Sequence, residues 1–234
     1  MRSFITLAIA FLFLSSSAFP QGRPMLDATG RPLAEFHVAL MKQGPKALTS
    51  PIPKEIQLAH MANIKSLLES GKAIIAGPLA DKGELVGIVV LRAGSGAEAK
   101  AWIEADPAVS ARYMVAEMHP WLCADIMKRP AGPLKLITVY LRFFSRGATW
   151  TAEQTAATEE LQSAHLMNIR RLMETKKLSV AGPFADDTDL RGMSVFKVAS
   201  YGEAIELSKT DPAVKAGRLS FEIHPWLVPD GILP

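Results

Sequence analysis

The feature that most constrains the fold of this chain is a repeat in which whole motifs return 105 positions later. The ending EMHPW at Glu117–Trp121 returns as EIHPW at Glu222–Trp226, and AGPLAD at 76–81 returns as AGPFAD at 181–186. Solenoid repeats are only about 20–50 residues long, so a self-similarity of this length indicates that one domain-sized unit was duplicated. The two halves of the chain should therefore share one fold.

The spacing stays constant from the long helix of each unit to its ending. Upstream of that helix the register slips by two residues, so that Gly44 matches Gly147. A loop tolerates such a change in length. Residues of the first long helix with identical counterparts in the second include Glu55, Gln57, His60, Asn63, Ile64 and Leu67.

The sequence of each unit predicts the element order β-α-β-β-α-β. Apolar stretches rich in β-compatible residues predict the strands, and apolar residues at helical spacing predict the helices. Gly71 ends the first helix, and the Gly-Pro pair at 77–78 ends the second strand. In the first unit, strands are predicted at 35–42, 73–77, 85–92 and 112–119, and helices at 54–70 and 96–105.

This order predicts an α+β fold of two tandem ferredoxin-like units, in which both helices cover one face of an antiparallel sheet. The strands carry apolar residues on both faces, so the other face of each sheet also needs a cover. Two copies supply it when they pack sheet to sheet. We expect an intrachain pseudo-dimer, an α+β barrel that other proteins of this plan form by dimerisation. Further oligomerisation is left open.

The N-terminus predicts export. Arg2, an apolar run at 4–14 and small residues ending in Ser16-x-Ala18 are typical of a secretory signal peptide. The run is short for a membrane span, so we expect a periplasmic or secreted protein without membrane contact after cleavage. The predicted boundaries are a signal peptide at 1–18, an N-terminal linker at 19–32, the first repeat at 33–122, a linker at 123–133, the second repeat at 134–228 and a tail at 229–234.

Composition and motifs exclude several kinds of partner. The formal net charge is +3 and no basic cluster is interleaved with aromatic residues, so nucleic acid is not expected. Cys123 is the single cysteine, which excludes an internal disulfide. No stretch has the close-set spacing of metal ligands, and no cofactor fingerprint occurs, so neither a metal nor a cofactor is predicted.

His60 and His165 are the first candidates for chemistry. Each lies on the stripe of the long helix that otherwise carries apolar residues and faces the sheet. An imidazole there is costly to bury unless it has a partner. Asn63 and Asn168, three residues further on, share that face and are candidates for substrate binding. A core histidine held by a neighbouring carbonyl or amide is the structural alternative.

Two pairs of aspartates compete as partners of these histidines. Asp106 and Asp211 precede proline in DPAV, which is typical of a helix N-cap with proline at the first helical position. Paired with a histidine, such a carboxylate would orient the ring and raise its basicity. Asp81 and Asp186 follow the Gly-Pro turn and are weaker candidates, since turn residues explain them as well.

His119 and His224 are weaker catalytic candidates for a similar reason. Each is followed by Pro-Trp at the end of the last predicted strand. Proline fits a strand end, and the tryptophan is expected to pack on the end of the barrel. Structural closure therefore explains these residues better than catalysis does.

The repeated motifs resemble those of the YCII-related domain family. The resemblance rests on the helix histidine, AGPFAD, DPAVKAG and the Pro-Trp ending, and it covers nearly all of the chain after the signal peptide. It implies a ferredoxin-like unit that pairs into an α+β barrel, with an active site at a histidine and an aspartate that match His60 or His165 and a local aspartate. One relative eliminates chloride from a chlorinated hydroxyquinol. Arg112 stands where the second unit has Gly217, which predicts that the first site is degenerate.

Three hypotheses for function follow. In the first, a His/Asp centre transfers protons or eliminates a group from a small molecule, and a pocket between helix and sheet exposes His165. In the second, the protein does not catalyse a reaction and holds an apolar ligand inside the barrel. In the third, it is a structural partner protein with an exposed apolar patch.

Overall fold

A computed structural model describes residues 25–128 and 135–234 of the chain. The first unit consists of β1 (Leu33–Gln43), α1 (Lys54–Glu69), β2 (Ala73–Pro78), β3 (Leu85–Leu91), α2 (Gly96–Glu104), α3 (Pro107–Ser110) and β4 (Met114–Ala124). The second consists of β5 (Leu136–Arg146), α4 (Ala156–Glu174), β6 (Leu178–Pro183), β7 (Leu190–Phe196), α5 (Tyr201–Lys209), α6 (Pro212–Lys215) and β8 (Leu219–Pro229). The short helices α3 and α6 are additions to the predicted order.

Each unit forms one four-stranded antiparallel sheet, in the orders β2-β3-β1-β4 and β6-β7-β5-β8. The two orders are identical once the elements are renumbered by unit, which confirms the predicted tandem ferredoxin-like fold. The first and last strands of each unit run side by side over their whole length, from Leu33 opposite Ala124 to Gln43 opposite Met114 in the first unit.

The helices begin where side chains can accept from free backbone N–H groups. Ser95 and Ser200 cap α2 and α5 in this way, and Thr155 begins α4 with a reciprocal pair of bonds to Thr158. No side chain caps α1, which follows Pro53. The sequence thus specifies α4 more strongly than α1, its counterpart.

Three hydrophobic cores match the predicted layers. The inner core lies between the two sheets and combines residues of both units, among them Phe36, Trp121, Val139 and Trp226. Each outer core lies between a sheet and its own helices, around Leu67 in the first unit and Leu172 in the second. Sheet-to-sheet packing in one chain is therefore confirmed. The inner core is filled by side chains that are nearly all inaccessible to solvent, so it offers no support for an apolar ligand in the barrel interior.

Two seams join the units, where β4 lies beside β6 and β2 beside β8. At one seam, Trp121 donates from Nε1 to the carbonyl of Gly182, and at the other Trp226 donates to Gly77, both over 3.0 Å. A Cβ atom at either glycine would lie 1.8 Å from a carbonyl oxygen of the facing strand. Only glycine permits this close approach of two backbones. The AGP and HPW motifs of opposite units therefore meet at the seams.

The prediction that Pro120 and Pro225 end the last strands is wrong. β4 continues through Ala124 and β8 through Pro229. Proline is tolerated because β4 and β8 are outermost in their sheets, so the missing N–H breaks no bond of the sheet. The carbonyl of each proline also accepts a backbone bond across the seam, at 2.8 Å. The tryptophans accordingly lie inside the barrel and not at its end.

Parts of the predicted linkers and tail pack against the two units. β4 runs two residues into the segment predicted as a linker, and Ile232 and Leu233 of the predicted tail join the inner core. Residues 25–32 form a turn closed by a bridge between Leu26 and Pro32. The predicted signal peptide at 1–18 lies outside the described residues. Within the described ranges, no helix has the length and apolar character needed to cross a membrane.

Candidate functional site

His165 and Asp211 form the best-defined polar pair of the second unit. The Nδ1 atom of His165 lies 2.9 Å from Oδ1 and 2.8 Å from Oδ2 of Asp211. Asp211 is fully buried and caps α6, where it accepts from the N–H of Ala213 at 2.9 Å. The ring of His165 meets Phe144 edge-on, with centroids 5.5 Å apart. The helix cap thus fixes the carboxylate, and the carboxylate fixes the ring.

The first unit repeats this geometry. Nδ1 of His60 lies 2.9 Å from both carboxylate oxygens of Asp106, which is fully buried and caps α3. The capping and the pairing interpretations of DPAV therefore both apply to one carboxylate. Arg112 adopts a φ of 64°, close to the 70° of Gly217, so the substitution keeps the local backbone and leaves this pair intact.

Asn63 and Asn168 contact the aspartates. Nδ2 of Asn63 donates to Asp106 at 2.8 Å, and Nδ2 of Asn168 donates to Asp211 at 3.3 Å. Each unit therefore holds a His-Asp-Asn cluster in which the asparagine positions the carboxylate. Neither asparagine lines the cavity described below, so the geometry does not support their predicted role in substrate binding.

Both carboxylates are held in the ionised form. Burial raises the pKa of Asp106 and of Asp211, but hydrogen bonds and charge interactions outweigh burial and lower both pKa values. The main ones are with His60 and Asn63 at Asp106 and with His165 at Asp211. An ionised carboxylate can only accept hydrogen bonds. It therefore favours a proton on Nδ1 of the histidine and leaves Nε2 as the exchangeable atom.

A buried arginine distinguishes the second unit from the first. Arg142 is fully buried, donates to the hydroxyls of Ser194 (3.0 Å) and Ser208 (3.3 Å), and lies 4.0 Å from the ring centroid of Phe144. Burial lowers the pKa of Arg142 to about 9, so the guanidinium stays charged at neutral pH, and its field helps to lower the pKa of Asp211. Ala39 occupies the matching position of the first unit.

A cavity of about 60 Å³ opens between α4 and the outer face of the second sheet. His165 and Gln162 line it from the helix, and Phe144 and Arg191 line it from the sheet. Asp27 also lines it, although this residue precedes the first unit and crosses to the second. The cavity is thus the place where Nε2 of His165 can meet a small molecule.

Arg191 reaches the cavity through a β-bulge. The pairing of β5 with β7 skips Arg191, which is the extra residue of the strand. A bulge can turn a side chain towards a site, as it does here. The residue skipped in the same way in the first unit is Val86. The bulge is therefore present in both units, with a charged residue in the second and an apolar residue in the first.

More positive charge surrounds this bulge. The guanidinium groups of Arg146, Arg191 and Arg218 lie 4.7–5.6 Å from the ring centroid of Trp150. Acidic side chains partly balance this charge, since Asp187 pairs with Arg146 and lies 3.9 Å from Arg191. Gln43, Val86 and Tyr113 occupy the matching positions of the first unit.

The remaining predicted residues pair across the units. Nδ1 of His119 lies 2.7 Å from Asp186, and Nδ1 of His224 lies 2.7 Å from Asp81. The proposal that Asp81 or Asp186 partners a helix histidine is therefore wrong, because the seams bring them to the strand histidines instead. His119 also contacts Glu117 through Nε2, at 3.0 Å. These pairs join the two units and lie apart from the cavity under α4.

The other reactive side chains contribute no site. Cys123 is fully buried in the inner core, and burial raises the pKa of its thiol well above the ordinary value, so it is inert. His37 is buried in β1 and belongs to the first unit only. Among the described residues, no group of three or more His, Cys, Asp or Glu side chains could hold a metal ion.

Asp27, Arg142, Gln162 and Arg191 were not predicted from the sequence. Arg142 and Arg191 do leave a signal, because a charge inside an apolar strand requires a special environment. Gln162 matches Gln57 in the first unit and is indistinguishable from it by sequence. Asp27 lies outside both repeats, so no comparison of the two units could reveal it.

The fold is similar to that of several solved structures. A double mutant of chlorite dismutase from Candidatus Nitrospira defluvii is 13% identical, with a TM-score of 0.56 over 84% of this chain and 91% of that one. The same enzyme in complex with imidazole is 12% identical, with a TM-score of 0.55 over 84% and 90% of the two chains. A heme-binding protein from Thermus thermophilus is 14% identical, with a TM-score of 0.51 over 82% and 90%.

At these identities the likeness concerns the fold, which is the tandem barrel described above. No curated protein matches the chain. The model of the YCII-related domain matches residues 36–121 and 146–227, one match in each unit, and the chain therefore belongs to the YCII-related domain family.

Proposed function

We propose that the second unit is a small-molecule enzyme in which His165 is a general acid and base. One observation carries the proposal: a histidine at the wall of a cavity has its inner nitrogen held by a buried, ionised carboxylate. The reaction class is proton transfer, or elimination that begins with proton transfer. The first unit has the same His-Asp-Asn cluster without the surrounding arginines, and we assign it a mainly structural role.

The roles follow from the hydrogen bonds. Nδ1 of His165 donates to Asp211, so the tautomer with a free Nε2 lone pair is favoured. When Nε2 takes a proton, the carboxylate stabilises the imidazolium that forms. Asn168 and the N–H of Ala213 hold the carboxylate in place, so they are positioning residues. Phe144 limits rotation of the ring.

Haem does not fit this cavity. One protein of similar fold binds heme, and a histidine hydrogen-bonded to a carboxylate is a donor that haem iron accepts. However, even drug-sized ligands occupy pockets of about 300–1,000 Å³, and the cavity here measures about 60 Å³. Phe144, Ile169 and Leu219 of the outer core also lie in the space that a macrocycle would need. No step is therefore assigned to haem.

Hydrogen exchange in D2O tests the proposal before the substrate is identified. The protein is incubated with a panel of small oxo acids, hydroxy acids and phenols, and loss of C–H signals is followed by proton NMR. We expect enzyme-dependent exchange for at least one compound, because proton abstraction at carbon is visible even when no product accumulates. His165→Gln and Asp211→Asn should each slow it by about 10²-fold or more, the usual contribution of a general base.

The duplicated unit supplies a matched control. His60→Gln removes the same group from the same position of the first unit and should leave the exchange unchanged. Exchange that survives His165→Gln would overturn the assignment of the base. A panel in which no compound exchanges faster with protein than without it would overturn the reaction class.

We also propose that the chain is exported, on the basis of the N-terminal sequence. Mass spectrometry of the protein recovered from an expressing bacterium should give a mass that lacks residues 1–18. Recovery of the uncut chain from the cytosol would contradict the proposal.

A further inference from the structure

Three buried polar atoms of the cavity under α4 have no hydrogen-bond partner among the described residues. Two are the amide oxygen and nitrogen of Gln162, a side chain that is 7% exposed. The third is Oδ2 of Asp27, which is also 7% exposed. Buried polar groups nearly always find a partner, and those that do not mark a place where a ligand or ordered water completes the structure.

The other carboxylate oxygen of Asp27 fixes the position of this side chain. Oδ1 accepts from the N–H and hydroxyl of Thr29 and from the N–H of Arg31, at 2.8–2.9 Å. The turn therefore holds the carboxylate in the wall of the cavity, with its second oxygen free of protein partners. The turn also packs Ala28 against the outer core of the second unit.

These atoms define what a ligand must offer. An ionised carboxylate only accepts, so the group beside Asp27 must donate, as a hydroxyl does. The amide of Gln162 both donates and accepts, so it can bind an oxygen atom and a hydroxyl of the same ligand. Phe144 and Ile169 give the cavity an apolar wall that suits carbon atoms.

One positive side chain in the cavity wall favours an anionic group on the ligand. Arg142 contacts two residues that line the cavity, Phe144 and Ser194, and Arg191 lines it directly. The other charges are largely balanced, because Arg142 lies near Asp211 and Arg146 pairs with Asp187. Arg191 is the guanidinium at the cavity wall, so it is the group that a ligand carboxylate would meet.

The volume limits the size of the ligand. A water molecule needs about 10–15 Å³ of such space, so a cavity of about 60 Å³ encloses roughly four to six non-hydrogen atoms. Glycolate and lactate have five and six, and each combines a carboxylate with a hydroxyl on the neighbouring carbon.

We propose that this cavity binds a short 2-hydroxycarboxylate, whose hydroxyl donates to Asp27 and whose oxygens bind Gln162. Its carboxylate pairs with Arg191, and its carbon atoms lie against Phe144. Asp27 then makes the N-terminal turn part of the binding site. The proposal deepens the proposed function, since it names the class of molecule that would approach Nε2 of His165.

The first unit lacks the polar features that would recognise such a ligand. Gln57 is exposed where Gln162 is buried, and Val86 replaces Arg191 at the bulge. Among residues 25–128 and 135–234, no residue corresponds to Asp27. We therefore expect one binding site per chain, in the second unit.

Isothermal titration calorimetry with sodium lactate tests the proposal on the protein from Met25 or from the natural cleavage site onward. Lactate should bind with a stoichiometry of one. Propionate, which lacks the hydroxyl, and 1,2-propanediol, which lacks the charge, should each bind at least about tenfold more weakly, the effect of one lost hydrogen bond or ion contact. Equal binding of propionate and lactate would overturn the recognition by Asp27.

The variants Gln162→Leu and Gln57→Leu form a matched pair. Gln162→Leu should weaken lactate binding about tenfold, and Gln57→Leu should leave it unchanged. Gln162→Leu replaces a buried amide by an apolar group of similar shape, which proteins tolerate well. The side-chain NH2 resonances of Gln162 in the unsubstituted protein provide a second measurement, and they should shift when lactate is added.

The outcomes separate this inference from the proposed function. In one outcome, lactate binds with the expected dependence on its hydroxyl, its charge and Gln162, but no compound of the panel exchanges. This outcome supports the site and overturns the catalysis. Exchange of panel compounds with no lactate binding overturns the site alone. Unshifted Gln162 resonances in saturating lactate would show that water alone completes the cavity, and would also overturn the site.

Discussion

Gly182→Ala should separate the two units at one seam. The Cβ atom would lie 1.8 Å from the carbonyl oxygen of Leu122, against about 3.4 Å for ordinary contact, so the strands must move apart by about 1.6 Å. The neighbouring contacts are backbone atoms of Leu122 and the Cβ atom of Cys123, which no change of rotamer can move. Relief therefore requires that β6 leave β4.

The energetic cost follows from the bonds that this movement breaks. They are the bond from Trp121 Nε1 to Gly182, at 3.0 Å, and the bond from Ala185 N to the carbonyl of Pro120, at 2.8 Å. Each buried group left without a partner costs about 1–3 kcal/mol, so the free energy of unfolding should fall by about 2–6 kcal/mol. Since 1 kcal/mol shifts the melting temperature of a chain of this size by about 2–4 °C, the melting temperature should fall by about 4–24 °C.

Urea unfolding followed by tryptophan fluorescence and circular dichroism measures the effect. Gly77→Ala provides an independent repeat at the second seam, where the added atom also meets a carbonyl oxygen at 1.8 Å. Gly83→Ala is the control, because its nearest neighbour would be 4.0 Å away, and it should change the stability by no more than about 0.5 kcal/mol. If Gly182→Ala unfolds at the same urea concentration as Gly83→Ala, the description of the seam is wrong.

Three further predictions concern single residues. The lowered pKa of Asp211 means that the folded protein binds fewer protons than the unfolded chain as pH falls below the ordinary aspartate pKa of about 3.9. The stabilisation from Asp211 is therefore present above that pH and lost as the pH falls further. In urea melts, the free energy of unfolding of Asp211→Asn should fall less steeply below pH ~4 than that of the wild type. An unchanged dependence on pH would refute the linkage. Arg112→Gly should stabilise the protein by about 0.5–1 kcal/mol in urea melts, because a non-glycine residue at a φ of 64° is strained, whereas Gly217→Ala should destabilise it. A loss on Arg112→Gly would show that contacts of the side chain outweigh the strain. Asp186→Ala should lower the free energy of unfolding by about 1–3 kcal/mol, because it leaves Nδ1 of the buried His119 without its partner. Asp186→Asn should lower it less. Equal stabilities in urea for both variants and the wild type would contradict this prediction.

The sequence predicted the local features of the site correctly but could not choose among its long-range partners. Asp106 and Asp211 were identified as helix caps because capping depends on neighbours within three residues. Their contact with His60 and His165 spans 46 positions, and only folding brings the pairs together. Asp81 and Asp186 carried an equally reasonable local signal, yet they pair with histidines of the opposite unit.

Pro120 and Pro225 show a second feature that the local sequence could not predict. Proline before tryptophan is a sound signal for the end of a strand when the strand is considered alone. Pro120 and Pro225 sit inside strands because each faces away from its own sheet and towards a seam. Whether a strand is central or outermost is a property of the sheet order, and that order is not written in any short segment.

The sequence by itself determined the duplication, the α+β element order of each unit and the polar residues that each helix carries, since these depend on periodicity and near neighbours. The tertiary structure decided which residues meet. It paired His119 with Asp186 and His224 with Asp81, 67 and 143 positions apart, and brought Asp27 to the cavity of the second unit. The two units carry nearly the same local pattern, yet the surroundings of their His-Asp-Asn clusters differ. Burial and charge depend on neighbouring residues, and packing brings those neighbours from distant parts of the chain.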